Sequence, residues 1–79
     1  MFQTTSSIEG QSMPVFIQEA HSRGTFIISL PDIHFSIEYP QSLTSEEQIE
    51  TLVLHLFSMM DENQAEAVAR DIVHAISRK

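Results

Sequence analysis

Three side chains of the types used in nucleophilic catalysis, His34, Ser36 and Glu38, stand two residues apart in the stretch Ile33-His34-Phe35-Ser36-Ile37-Glu38-Tyr39. A serine activated by a histidine that a carboxylate orients is the arrangement of acyl-transfer enzymes. It needs each pair within hydrogen-bond reach. Here the apolar residues Ile33, Phe35, Ile37 and Tyr39 alternate with the polar three, the period of a strand with one buried face. Neighbours on one strand face lie roughly 6.5–7 Å apart, too far for direct activation of the serine. The spacing predicts a solvated sheet face or a binding surface at His34, Ser36 and Glu38, and no catalytic set.

Metal and phosphate chemistry fare no better. The histidines, His21, His34, His55 and His74, have none of the local spacings of a metal motif. On a sheet-and-helix layout His21 and His34 fall at opposite ends of a strand of roughly 20 Å. His55 and His74 are offset by about 10 Å along a helix pair. There is no cysteine for a thiolate ligand or a disulfide, and Gly10 and Gly24 are too far apart for a phosphate loop. No cofactor is expected.

The elements that position these residues follow from the periodicity. Segments 14–20, 25–30 and 33–39 read as strands. His21-Ser22-Arg23-Gly24 and Pro31-Asp32 are the short connections between them, which permit only antiparallel neighbours. Phe35 is placed on the buried face of the third strand. After Pro40 the period changes: Ile49, Leu52, Val53, Leu56, Phe57 and Met60 recur at helical spacing. Thr44 or Ser45 caps this helix, with Glu47 or Gln48 as the reciprocal partner of a capping box. A second helix carries Ala65, Val68, Ala69, Ile72, Val73 and Ile76, with Asp61 as cap and Gln64 completing the pair. The turn around Asp61 is short enough to make the helices an antiparallel hairpin. The expected fold is α+β: a three-stranded antiparallel meander followed by a two-helix hairpin packed on one face. Residues 13–79 form this single domain, and the polar residues 1–12 read as a mobile arm or a loosely attached first strand.

Eleven acidic residues face four basic ones, for a formal net charge of −7. Nucleic acid and anionic membrane surfaces are both bound through clustered Lys and Arg, so neither is an expected partner. No apolar run approaches the ~20 residues of a membrane helix, and residues 1–12 lack the basic and apolar regions of a signal peptide. Together with the missing cysteines this makes the cytoplasm the expected location.

The run Val15-Phe16-Ile17 to Gly24-Thr25-Phe26-Ile27-Ile28, then Leu30-Pro31-Asp32-Ile33-His34-Phe35-Ser36-Ile37-Glu38, resembles the small YueH-like proteins of Firmicutes. The likeness is one of length, order and a Pro-Asp turn before a strand with an aromatic-Ser pair. It implies a small bacterial protein without an assigned activity, and so no site. The hairpin and Pro-Asp turn are also similar to antitoxins of the HicB type. Those carry a glycine-containing segment where this chain has Ile33-His34-Phe35-Ser36, and a strand where it has a second helix.

The leading expectation is a non-enzymatic regulatory or adaptor domain that binds another protein or a second copy of itself. Leu54 lies off the main helical stripe and broadens it, so that Leu54, Phe57 and Met60 are one expected interaction surface and His34, Ser36 and Glu38 on the sheet are another. The alternative is an acidic antitoxin or inhibitor that seats on a basic enzyme by charge complementarity.

Overall fold

The computed structural model describes residues 2–78. Four strands, β1 (Phe2–Ile8), β2 (Gln11–Ala20), β3 (Thr25–Leu30) and β4 (Phe35–Pro40), precede two helices, α1 (Ser45–Leu56) and α2 (Glu62–Arg78). The strands form one antiparallel meander in the order β1-β2-β3-β4. The α+β class and the helix pair agree with the sequence expectation; the strand count does not, being four and not three.

The additional strand is β1, which pairs with β2 from Phe2↔Ile17 to Ile8↔Gln11. Its inward positions are Phe2, Thr4, Ser6 and Ile8, so apolar side chains stand only at its ends and the period-2 signal is lost. Ser6 is nonetheless 3% exposed, because its hydroxyl donates to Asp71 Oδ2 on α2 at 2.7 Å. A satisfied hydroxyl replaces a hydrophobe there. Glu9 and Gly10 join β1 to β2, both at positive φ (52° and 83°), as a two-residue hairpin turn with the twist of its strands requires.

The third predicted strand starts later than expected. Pro31–Ile33 form a short 3-10 turn, and His34 sits outside β4 in the left-handed region (φ 53°), its N–H donating to the Pro31 carbonyl. The register Leu30↔Phe35, Ile28↔Ile37 and Phe26↔Tyr39 then faces apolar residues of β3 and β4 to the helices. Phe26 and Tyr39 meet edge to face with ring centroids 6.0 Å apart. Phe35, expected in the core, is half-buried at its margin.

Both helices begin where the caps say. Thr44 Oγ1 accepts from the Glu47 N–H while Glu47 Oε1 accepts from the Thr44 N–H, a complete capping box. Asp61 Oδ1 accepts from the Gln64 N–H at 2.8 Å, but the Gln64 amide reaches to the Ser7 carbonyl of β1 and does not close a reciprocal box. α2 packs against α1 and along β1. The core is one cluster in which Val15, Ile17, Ile28, Leu30, Leu52, Leu56, Val68 and Ile72 are fully buried. Among the described residues no helix is long and apolar enough to cross a membrane.

Candidate functional site

The polar candidates from the sheet are not brought together as a site. Ser36 and Glu38 are exposed on the face of β4 turned away from the helices, whereas His34 belongs to the turn before it. Glu38 is also engaged: Arg23 Nη2 donates to its Oε1 at 2.8 Å, and the Thr25 hydroxyl donates to its Oε2. That carboxylate fastens the β2–β3 loop to β4 and is not held ready to orient a histidine. His21, His34, His55 and His74 occupy a loop, a turn and two helices, and among the described residues no group of three or more potential ligands could hold a metal ion.

The helical candidates do converge, with one exception. Leu54 (74% exposed) and Phe57 (59%) stand in solvent on α1 and the turn that follows it, and Met59 (47%) is exposed in the same turn. Met60 is half-buried against the core, so the exposed methionine is its neighbour. Side chains this large and apolar mark a surface when they cluster rather than scatter. Ile49, Val53, Leu54 and Phe57 line one shallow groove of ≈ 350 Å³ together with Glu50 and, from α2, Glu62 and Glu66.

The groove exists because α1 is rolled away from the centre of its own apolar stripe. Its buried residues are Gln48, Leu52 and Leu56, a line of four-residue steps along one side. Ile49, Val53 and Phe57 form the next line, half-buried to exposed, and Leu54 lies beyond it. Gln48 fixes this roll. Its Oε1 accepts from the Tyr39 hydroxyl at 2.9 Å, and its Nε2 donates to the Leu43 carbonyl at 3.2 Å. Both partners of the Tyr39–Gln48 bond are buried, at 3% and 7% exposure. Burial pushes the Tyr39 phenol well above its ordinary pKa, so it stays a donor.

Sequence reasoning found Leu54 and Phe57 but missed Ile49 and Val53 as surface residues, because helical spacing assigns them to the core. It missed Glu62 and Glu66 because nothing local links them to α1. The signal that was available is the width of the apolar arc on α1, from Leu52 round to Leu54, which exceeds what one sheet can cover.

A four-stranded antiparallel meander with a helix hairpin on one face, and a shallow groove lined from both helices, defines a small two-layer α+β domain. A family model for YueH-like protein matches residues 3–78, and the chain belongs to that family. Neither a curated protein nor a solved structure matches it.

Proposed function

We propose that this chain is a non-enzymatic regulatory or adaptor domain of the cytoplasm that binds another protein through the outer side of α1. One observation carries the reading: the large hydrophobics Leu54 and Phe57 are exposed, on and just after one helix, and line one groove with Ile49 and Val53. An amphipathic helix ordinarily turns such residues to the core, and leaving them in water favours association. The net charge of −7 favours a protein partner over nucleic acid or an anionic membrane surface.

A photo-crosslinking residue at position 54, compared with one at Gln18 on the opposite sheet face, tests the reading inside the native cell. The expected result is a discrete adduct with another protein from position 54 alone, abolished by Phe57→Ser. Equal adducts from both positions, or none from position 54, refute it.

A homodimer is the second reading, and its observation is the sheet edge. Among the described residues β4 is paired on one side only, with β3, and its interior carries no proline or lysine to blunt pairing with another chain. Sedimentation equilibrium showing a strict monomer at high micromolar concentration ends that reading.

A further inference from the structure

We infer that the occupant of the α1 groove is a cationic amphipathic helix of a partner protein, an inference that rests on the proposed interaction surface and specifies its ligand. The groove pairs two kinds of side chain. Ile49, Val53, Leu54 and Phe57 line it with apolar side chains; Glu50, Glu62 and Glu66 add an exposed acidic rim, with no basic residue among the lining. The acids come from both helices, so a ligand lying between α1 and α2 meets carboxylates on either side.

The dimensions suit a helix. From Ile49 to Phe57 is eight residues, about 12 Å of α1, or two turns of a ligand helix laid alongside it. Such a ligand would present apolar anchors at i, i+3 or i+4, and i+7, the mode of helix-in-groove recognition. Extended-strand addition has no purchase here, because the backbone groups of α1 and α2 are used within the helices.

Charge selects among occupants. A second copy docked through the same face would set Glu50, Glu62 and Glu66 against their own counterparts, and like charges brought together across a desolvated face oppose association. Anionic lipid meets the same repulsion. Lysine or arginine flanking the apolar anchors turns the rim from an obstacle into attraction. Glu66 is already paired with Arg70 at 3.2 Å, but that contact is exposed and open to exchange.

The test uses the full chain and three fluorescein-labelled 14-residue peptides: a leucine/lysine amphipathic helix, its leucine/glutamine counterpart, and the lysine peptide scrambled to destroy helical periodicity. Anisotropy at moderate salt should rank the leucine/lysine helix about tenfold or more tighter than either control. Its affinity should fall about tenfold in Phe57→Ser and several-fold in Glu62→Gln with Glu66→Gln, and amide shifts should centre on residues 49–57 and 62–66. Urea melts of these variants should match the parent, since the altered side chains are exposed. Equal binding of the glutamine helix, still lost in Phe57→Ser, overturns the charge inference while leaving the interaction surface standing. Binding insensitive to Phe57→Ser, with shifts spread over other acidic regions such as Asp32 and Glu9, overturns both. A dimer in sedimentation velocity that Phe57→Ser dissolves assigns the groove to a second copy and overturns the cationic ligand.

Discussion

The roll of α1 depends on one buried hydrogen bond, and replacing its partners singly and together measures that dependence. Tyr39→Phe removes only the hydroxyl and strands Gln48 Oε1, which is buried and accepts from no other group shown. Leaving a buried acceptor unpaired costs about 1–3 kcal/mol. Gln48→Leu strands the phenol instead and also frees the Leu43 carbonyl from its amide donor, for a cost of the same order. Removing both polar partners at once leaves neither stranded, so the double variant should be more stable than the sum of the singles by about 1–2 kcal/mol. A chain of this length has a total stability of roughly 4–12 kcal/mol, and each kcal/mol moves its melting temperature by about 4–8 °C. The single variants therefore melt roughly 5–20 °C below the parent, well within reach of calorimetry or circular dichroism. The burial of the Tyr39 phenol also gives a pH signature. The folded pKa of Tyr39 lies above the unfolded value, so the folded chain keeps the proton longer. The stabilisation is complete below the unfolded pKa of about 10 and declines as pH rises past it. Tyr39→Phe should remove that alkaline decline. Strict additivity of the two substitutions would refute the role given to this bond, and an alkaline arm unchanged in Tyr39→Phe would contradict the burial of the phenol.

Two further expectations follow from packing. Ser6→Ala deletes the donor to Asp71, and its cost of about 1 kcal/mol should appear in urea melts together with faster amide exchange in β1 than in β3. Leu30→Ala should cost about 2–5 kcal/mol and Phe35→Ala clearly less, because Leu30 is fully buried and Phe35 lies at the core margin; the reverse order in chemical denaturation would contradict the register of β3 and β4.

The sequence was most legible where local chemistry and tertiary demand agree. Thr44 with Glu47, and Asp61 ahead of Gln64, mark the helix starts that the structure has. The alternation of β3 gives its buried face directly. Legibility failed where a distant partner satisfies a polar group. Ser6 is an inward strand residue only because Asp71 accepts from it, 65 residues away. Gln48 is a core residue only because Tyr39 donates to it, and that bond turns Ile49 and Val53 toward the surface. His34 broke the strand pattern because a four-residue connection from Leu30 to Phe35 needs a left-handed residue to close. Half of the candidate surface, Leu54 and Phe57, was visible as surplus apolar width; its acidic rim required the helices to be placed side by side.

The ties between β1 and α2 set an order of assembly during synthesis. The inner face of β1 offers Thr4 and Ser6 where a strand normally offers hydrophobes, so its hairpin with β2 gains little when those residues leave the ribosome. The ties that add to its ladder with β2, the Asp71 carboxylate, the Gln64 amide and the packing of α2, are made tens of residues later. The earliest strand to be translated is thus among the last to be secured. Until α2 emerges, β2 presents its hydrogen-bonding edge and the apolar side chains of Met13, Val15 and Ile17 to whatever the nascent chain meets, which makes the interval between synthesis of Ile17 and of Asp71 the window in which chaperone contact matters most.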